Sequence, residues 1–425
     1  MDREYDVLIA GGGHGGTQVA TALRQYGFDG SIAIVNAEDA YPYQRPPLSK
    51  AYLEGTVDVG QILIRPASYW ADHGIDLVRG RRIDAVDPAQ RFVTTDDGAA
   101  VKYRTVVWAT GSTPRVLDCA GWDLSGIHVV RSLSDVDRLR ADLASASAVA
   151  IVGGGYIGLE AAAVLRKLGK QVTVVEAFSR VLARVSADPI SDFYQAQHRE
   201  HGVELRVDSK VISFEGAGGR VQAVRLAGGE AIPADAAIVG VGVVPSAGPL
   251  VAAGARYDNG VLVDGQCRTS LPDIYAVGDC TASPNVYADG AVLRLESVQN
   301  AIDQGSTVAR RLSGKPEADP AVPSFWSDQY DLRLRTIGVS YGYHDAVVRG
   351  DPTSRSFSVV YLKSGRVIAV DSVNAAKDFA RGRALVRSAA RIDVSAIADT
   401  SRPLDDLVIH APELDGREVS VDAGG

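Results

Sequence analysis

The chain has 425 residues, of which 46% are hydrophobic and 23% charged, a composition that favours two or three folded domains and argues against disorder. Its formal charge of -8 argues against a general nucleic-acid binder. The acidic N-terminus lacks the apolar core of a signal peptide, and no apolar run approaches the roughly 20 residues that cross a bilayer. We therefore expect a cytoplasmic protein.

The three cysteines, Cys119, Cys267 and Cys280, form no C-x-x-C or C-x-x-x-x-C pair. This spacing indicates neither a disulfide framework nor a zinc site, and it fits a reducing compartment. The histidines are scattered without metal-ligand spacing, so we expect no metal site.

The N-terminal stretch predicts a strand, a tight turn and a helix. An apolar run leads into Gly11, Gly13 and Gly16, which form G-x-G-x-x-G. In this motif the first glycine permits the turn, the second lets a pyrophosphate approach the backbone, and the third packs the helix against the strand. A second apolar strand follows at 32–35, and Glu38 lies about where an acid would receive a ribose diol.

The same pattern recurs near residue 150. Gly153, Gly155 and Gly158 repeat the G-x-G-x-x-G spacing, and a second strand at 172–175 ends directly on Glu176. A carboxylate in that position accepts the ribose hydroxyls of NADH and repels the extra phosphate of NADPH. One chain therefore offers two dinucleotide sites.

Each glycine loop is followed by short alternating strands and by a closing strand that ends in glycine and proline. This repetition predicts an α/β fold with two doubly wound, Rossmann-like domains that carry antiparallel meanders. A further strand within 269–279 has no glycine loop before it, so we assign it to the first sheet. The predicted nucleotide-binding domains are a discontinuous one at 1–115 and 246–323 and a continuous one at 116–245.

The sequence pattern changes after residue 324. Alternating strands at 357–362 and 366–370, followed by a helix at about 375–390, predict a C-terminal α+β domain over 324–425. We expect the residues from Ile392 onward to be partly irregular and to dock across the surface.

These motifs together resemble a known family. The two glycine loops, the A-T-G strand end at 109–111 and the run that ends in I-Y-A-V-G-D at 279 resemble the FAD- and pyridine-nucleotide-dependent reductases of the glutathione reductase fold. Within that group the segments at 43–50, 153–160 and 325–330 look like the putidaredoxin reductase-like ferredoxin reductases that serve oxygenases. The resemblance implies FAD in the first domain, NADH in the second, and a small acidic [2Fe–2S] ferredoxin as acceptor, which supplies a cytochrome P450 or a Rieske-type oxygenase.

The resemblance also carries over binding residues. Asp279 would bind the ribityl or phosphate part of FAD, and Ile83 would contact it through backbone near the adenine. Related reductases often carry Asp where this chain has Ala37, so the FAD ribose contact shifts to Glu38 or is lost. The expected FAD contacts are Gly11, Gly13, Gly15, Gly16, Glu38, Arg45, Lys50, Ile83, Thr110, Gly111, Arg131, Gly278, Asp279 and Val298. The expected NADH contacts are Gly153, Gly155, Ile157, Gly158, Glu160, Glu176, Arg184 and Gly242.

The route of the electrons follows from what the chain lacks. Disulfide reductases of this fold carry a C-x-x-x-x-C pair soon after the first βαβ unit, where this chain reads R-P-P-L-S-K, and its first cysteine is Cys119. Electrons must therefore leave the flavin directly, and a one-electron iron–sulfur acceptor is the natural sink. By resemblance, Lys50 lies near the reactive edge of the flavin and pairs with Glu160, and Trp326 lies near the flavin on the ferredoxin side. These three are the predicted catalytic residues.

Other interpretations remain open. The acceptor could be rubredoxin, the enzyme could be an NADH oxidase, or the flavin fold could serve as a redox-sensing interaction module. Lys50 and Glu160 could be ordinary residues at helix starts, and Ile83, Val298 and Trp326 could be plain core.

Glu176 could likewise be a solvated acid at a strand end. Arg180 and Arg184 follow it closely, and an arginine there would welcome the extra phosphate of NADPH. NADH remains the predicted donor.

The C-terminal domain is locally basic. Between Arg333 and Arg391 the sequence has eleven basic residues and four acids. This excess predicts a basic docking surface for an acidic partner, in which Arg335 lies near Trp326.

Overall fold

The computed structural model describes residues 4–409. Among these residues no helix is both long enough and apolar enough to cross a membrane.

The first part of the chain forms a mixed sheet that starts with the first glycine loop. Its elements are β1 (Glu4–Ala10), α1 (His14–Gln25), β2 (Ile32–Asn36), α2 (Ala51–Glu54), α3 (Tyr69–Asp72), β3 (Ile75–Arg79), β4 (Ile83–Asp87), β5 (Phe92–Thr95), β6 (Ala100–Trp108) and β7 (Ser112–Pro114). The order is β3-β2-β1-β6-β5-β4, with β1 parallel to β2 and β6 and with β4, β5 and β6 as an antiparallel meander. Every residue of β2 is buried, as expected for a parallel strand covered on both faces.

The middle of the chain repeats this design. Its elements are β8 (Ile127–His128), α4 (Leu133–Leu143), β9 (Ala148–Val152), α5 (Tyr156–Lys167), β10 (Gln171–Val175), α6 (Asp188–Glu200), β11 (Glu204–Arg206), β12 (Val211–Ala217), β13 (Arg220–Leu226), β14 (Ala231–Pro233), β15 (Ala236–Val239), β16 (Val243–Pro245) and α7 (Gly248–Ala252). The parallel sheet has the order β11-β10-β9-β15-β8, and β12, β13 and β14 form a separate antiparallel meander. β16 pairs with β7 and so links the two parts.

The chain then returns to the first sheet. The returning elements are β17 (Val261–Leu262), β18 (Ile274–Ala276), β19 (Thr281–Pro284), β20 (Val292–Leu293) and α8 (Val298–Leu312). β18 pairs in parallel with β6, so the strand without a glycine loop joins the first sheet. α8 packs closely on α1, because Gly305 has no side chain and a Cβ there would lie 2.9 Å from the Gly15 carbonyl oxygen. The domain limits themselves stay predictions.

The last part is an antiparallel sheet with a helix. Its elements are β21 (Ser324–Gln329), β22 (Leu332–Gly338), β23 (Asp345–Asp351), β24 (Ser356–Lys363), β25 (Arg366–Val373) and α9 (Ala376–Arg387). The strand order is β21-β22-β25-β24-β23, and α9 packs on β25 and β22. The predicted fold class, two doubly wound sheets with meanders and a C-terminal α+β part, is confirmed.

The expectation that the chain from Ile392 onward is partly irregular and docks across the surface agrees with residues 392–409, most of which are exposed while a few apolar side chains anchor them. Ile397 and Leu404 are fully buried in the core that α9 forms with β25. Arg349 is one of the eleven basic residues counted in this part of the sequence, but its guanidinium is buried and donates to the carbonyl oxygens of Ile397, Asp399 and Arg402. Apolar burial of these few side chains and three satisfied carbonyls hold this segment against the rest of the chain. Residues 410–425 lie outside the described residues.

Candidate active site

The first glycine loop leaves an open, backbone-lined space at the start of α1. Gly11 has a φ of +105°, and a Cβ there would lie 2.5 Å from the Ala109 carbonyl oxygen. A Cβ on Gly16 would lie 2.0 Å from the Gly11 carbonyl oxygen, so neither position admits a side chain. A Cβ on Gly13, in contrast, would meet no described atom within 4 Å. The helix N-terminus is therefore accessible to a phosphate group.

The second loop has the same geometry. Gly153 has a φ of +110°, and a Cβ on it would lie 2.4 Å from the Gly240 carbonyl oxygen. A Cβ on Gly158 would lie 2.2 Å from the Gly153 carbonyl oxygen, whereas one on Gly155 would meet nothing within 4 Å. Both loops are thus built to present backbone to a pyrophosphate.

A single cleft brings the first loop together with parts of the rest of the chain. From the middle of the chain it is lined by Tyr156, Ile157 and Glu160 of α5, and from the C-terminal sheet by Phe325 and Trp326 of β21. The predicted FAD contacts that line it are Gly11, Gly13, Gly15, Glu38, Arg45, Lys50, Ile83, Thr110, Gly111, Arg131, Gly278, Asp279 and Val298. Gly16 instead packs beneath the loop against Gly11.

The Lys50–Glu160 pair lies in this cleft. Lys50 Nζ is 2.7 Å from Glu160 Oε2, and the Glu160 side chain is only 5% exposed. Two hydroxyls also donate to this carboxylate, Ser49 Oγ to Oε2 at 2.6 Å and Ser327 Oγ to Oε1 at 2.6 Å. The ion pair predicted from the sequence is present, whereas its part in hydride transfer stays a prediction. Sequence reasoning missed Ser49 and Ser327, although both lie within the motifs that carried the resemblance.

A second charged group surrounds Glu38. Arg45 donates to Glu38 Oε1 at 2.5 Å, to the Tyr43 hydroxyl at 2.7 Å and to the Arg131 carbonyl oxygen at 2.6 Å. The Tyr43 hydroxyl donates to Glu38 Oε2 at 2.6 Å, and burial raises the pKa of Tyr43 above its ordinary value. Both Glu38 oxygens are therefore already engaged, and a ribose hydroxyl would have to share them.

The floor of the cleft suits an anion. Burial, together with repulsion by Arg45 and Arg131, lowers the pKa of His14 to about 4, so the imidazole is neutral at the start of α1. Burial lowers the pKa of Arg131 and raises that of Asp279, although each faces the other's charge. Two guanidinium groups, open backbone N–H groups and an acid at the end of β18 fit the phosphates and hydroxyls of FAD.

Glu176 lies directly after β10, beside the second glycine loop. Its Oε2 accepts the Gly154 N–H at 2.6 Å, and its Oε1 accepts the Phe178 N–H at 2.9 Å. Arg180, which we had considered as a phosphate ligand, bonds Asp188 at 2.8 Å and Ser191 at 2.5 Å. Its guanidinium is therefore engaged within the protein.

Asn36 is a residue that sequence reasoning missed. The Gly11 N–H donates to the Val35 carbonyl oxygen at 2.8 Å, and the Gly153 N–H donates to the Val175 carbonyl oxygen at the same distance. Asn36, which follows Val35, therefore occupies the position in the first loop that Glu176 occupies in the second. Asn36 Oδ1 accepts the Gly12 N–H at 3.3 Å. Superposing the two glycine loops on their strands, residue by residue, would have found it.

The remaining predicted NADH contacts do not line the described cleft. Arg184 and Gly242 do lie together, since an Arg184 guanidinium nitrogen is 3.5 Å from the position of a Cβ on Gly242. Gly242 has a φ of +101°, which a side chain would strain. These residues and Glu176 lie around the second loop.

Two glycine loops of this build, with α5 and β21 closing one cleft, define a flavin- and pyridine-nucleotide-dependent oxidoreductase. The chain belongs to the pyridine nucleotide-disulphide oxidoreductase family, whose model matches residues 5–305. A second model, described as reductase C-terminal, matches residues 324–408. The chain is thus an enzyme that depends on FAD and NAD(P)H.

Its similarity to known proteins extends along most of the chain. It is 51% identical to the 5,5'-dehydrodivanillate O-demethylase ferredoxin reductase subunit of Sphingobium sp. strain NBRC 103272 / SYK-6, over 95% of this chain and 98% of that protein. It is 50% identical to a ferredoxin–NAD(P)(+) reductase of a Sphingomonas species, over 97% and 99%. The solved structure of a covalent putidaredoxin reductase–putidaredoxin complex matches with a TM-score of 0.92 and 36% identity, over 96% and 98%.

Proposed function

We propose that this enzyme takes hydride from NADH onto bound FAD and passes the electrons one at a time to a small acidic [2Fe–2S] ferredoxin that supplies a cytochrome P450 or a Rieske-type oxygenase. Bound FAD supplies hydride acceptance and single-electron release. One NADH carries two electrons and therefore reduces two ferredoxins. The names of the similar proteins support this acceptor, since they include an O-demethylase ferredoxin reductase subunit, a ferredoxin–NAD(P)(+) reductase and a putidaredoxin reductase joined to putidaredoxin.

The observation that carries the proposal is a cleft with a charged pair where a disulfide reductase has thiols. Ser49 and Lys50 occupy that segment and bind Glu160. Among the described residues no cysteine lines the cleft. Burial raises the pKa of Cys267 to about 12 and that of Cys280 to about 11, so both thiols stay protonated and unreactive at neutral pH. Among the described residues the cleft therefore offers no disulfide that could take up the electrons.

The choice of NADH rests on Glu176. Its carboxylate lies at the end of β10 against the Gly154 N–H, where it would receive a ribose diol and repel a 2′-phosphate. Arg180 is bound to Asp188 and so offers no cation to that phosphate.

The roles of the cleft residues follow from their places. Lys50 would stabilise negative charge on the reduced flavin, and its pair with Glu160 would orient the nicotinamide. Trp326 lines the cleft from β21 and lies opposite Arg335 across the β21–β22 ladder, at the side where we place the ferredoxin. The cytoplasm is the proposed location, because the three cysteines are all unpaired.

Anaerobic stopped-flow spectroscopy tests the proposal. The holoenzyme is mixed with NADH or NADPH while flavin bleaching is followed, and the reduced enzyme is then mixed with a [2Fe–2S] ferredoxin, a rubredoxin or oxygen. We expect rapid reduction by NADH, and ferredoxin reduction at two per NADH. Faster transfer to rubredoxin or to oxygen would overturn the proposed acceptor, and equal reduction by NADPH would overturn the proposed donor.

A further inference from the structure

A chain of buried hydrogen bonds runs from Glu160 into the C-terminal sheet and back into α6. Ser327 Oγ is 2.6 Å from Glu160 Oε1, and Gln329 Nε2 is 3.2 Å from Ser327 Oγ. His198 Nε2 is 2.8 Å from Gln329 Oε1, and the Tyr330 hydroxyl is 3.0 Å from His198 Nδ1. The chain therefore links three elements: α5, β21 and α6.

The direction of each bond is fixed by the chemistry of its neighbours. The carboxylate of Glu160 only accepts, so the Ser327 hydroxyl donates to it and uses a lone pair toward Gln329. The Gln329 amide nitrogen can only donate, so it is the atom that bonds the Ser327 oxygen, and Gln329 Oε1 faces His198. Because Oε1 can only accept, His198 Nε2 must carry the N–H of that bond. The other imidazole nitrogen then accepts from Tyr330. All four donors thus point toward Glu160.

The middle of this chain is cut off from water. The residue exposure is 0% for Ser327, 1% for Gln329 and 0% for His198. Desolvation lowers the pKa of His198 to about 4, which leaves the neutral imidazole that the bond pattern requires. In such surroundings a broken bond leaves a polar group without water to replace its partner.

The hydrogen bonds of this chain converge on the Glu160 carboxylate. Without Gln329, the Ser327 hydroxyl could rotate and donate elsewhere. The Gln329 N–H donates to the Ser327 oxygen, and this bond keeps the Ser327 proton directed at Glu160. His198 in turn fixes the orientation of the Gln329 amide. The order of donors therefore acts on one atom, Glu160 Oε1.

We propose that Ser327, Gln329 and His198 are positioning residues that hold the Glu160 carboxylate against Lys50, so that the C-terminal sheet sets the geometry of the hydride-transfer site. This inference rests on the proposed function, because Glu160 matters only if hydride passes through this cleft. It predicts that effects on hydride transfer decrease along the chain with distance from Glu160.

Five variants test the order. Ser327→Ala removes a hydrogen bond to a charged group, and we expect hydride transfer to slow roughly tenfold or more. Gln329→Met keeps the side-chain length without polar atoms and should slow it roughly threefold to tenfold, and Tyr330→Phe less than that. His198→Gln retains an N–H that reaches Gln329, and should remain closer to wild type than His198→Leu.

The matched control is Ser372→Ala. Ser372 is a buried serine of the same sheet, 1% exposed, and it bonds Ser358 rather than the chain to Glu160. For each variant we would measure the rate of flavin reduction by NADH, the Kd for NADH, the flavin midpoint potential and the thermal unfolding midpoint. The rate should fall while the Kd stays constant, and the potential should become more positive, because a displaced Glu160 no longer neutralises Lys50.

The outcomes separate this inference from the proposed function. If wild type itself is not reduced by NADH, the proposed function fails. If wild type is reduced and all five chain variants match Ser372→Ala in rate and potential, the chain is purely structural and the inference is overturned. Loss of thermal stability at unchanged rate per bound flavin would overturn it in the same way.

Discussion

Replacing Glu176 should change the choice of nucleotide in two separable ways. Glu176 is partly exposed, and its two hydrogen bonds go to backbone N–H groups that water would satisfy in a variant. The structural cost of substitution is therefore small, and the measured effect reports on the nucleotide.

The magnitudes follow from the two interactions. A charged hydrogen bond to the ribose diol is worth about 1.5–3 kcal/mol, so Glu176→Ala should lower kcat/KM for NADH by roughly tenfold to a hundredfold. A 2′-phosphate of charge about -1.5 placed about 5 Å from the carboxylate, at an effective dielectric constant of about 40–80, is repelled by about 1–2.5 kcal/mol. Glu176→Gln removes only the charge, so it should raise kcat/KM for NADPH by roughly fivefold to fiftyfold.

Steady-state kcat/KM for both nucleotides, with ferricyanide as acceptor, measures these changes. Glu204→Gln is the matched control, because it removes the same charge from the neighbouring strand β11 without touching Gly154. The reasoning would be refuted if the ratio of kcat/KM for NADH to kcat/KM for NADPH were the same in Glu176→Gln as in wild type. It would also be refuted if Glu204→Gln changed that ratio as much as Glu176→Gln does.

Three further predictions concern the cleft, the buried histidine and the docking surface. Lys50→Met should keep FAD bound, shown by its absorbance, and slow flavin reduction by roughly tenfold in stopped flow; unchanged kinetics would make the lysine a bystander. Because the pKa of His198 is lowered from 6.5 to about 4, the unfolded state alone binds a proton as pH falls through this window. Wild type should therefore lose roughly 3 kcal/mol more stability than His198→Gln between pH 6.5 and 4, and parallel urea curves would contradict the burial of a neutral imidazole. Arg335 is bound to Asp328 at 2.8 Å yet lies beside Trp326, so Arg335→Glu should slow ferredoxin reduction, most at low salt, and leave ferricyanide reduction intact. Equal loss with both acceptors would place the docking surface elsewhere.

Local signals explain why most of the fold was predictable. Glycine spacing and short apolar runs mark β1, α1, β9 and α5 without any knowledge of the rest of the chain. The return of β18 to the first sheet was predictable because a strand that lacks its own glycine loop needs a sheet to join.

The errors came from charges whose partners lie far away in sequence. Arg349 counts as a surface cation in the sequence, but it is buried because three carbonyl groups of the segment after Ile392 need donors. The same segment is mostly exposed, and its few apolar residues, Ile397 among them, anchor it. No local pattern reports either fact.

The candidate site divides in the same way. Lys50 and Glu160 lie in motifs whose resemblance paired them before any contact was known. The route from Glu160 to His198 crosses from α5 to β21 and on to α6, and nothing in the spacing of serine, glutamine and histidine along the chain indicates that they meet. Such a route is visible only once the sheets are packed together.

The two glycine loops also differ in what surrounds them, and this difference suits one cofactor that stays and one that exchanges. The first loop opens into a cleft that α5 and β21 close, and Ile83 at its edge is 6% exposed. Around the second loop, Ile157, Phe178 and Val185 are 45%, 52% and 45% exposed, although apolar side chains of this size favour burial. A nucleotide that covered these three side chains would gain apolar contact when it binds. It would lose only that contact when it dissociates, so it could exchange readily. Since FAD must remain through many turnovers while NADH leaves as NAD+ after each one, this difference supports our proposal that the enclosed loop binds FAD and the open loop binds NADH.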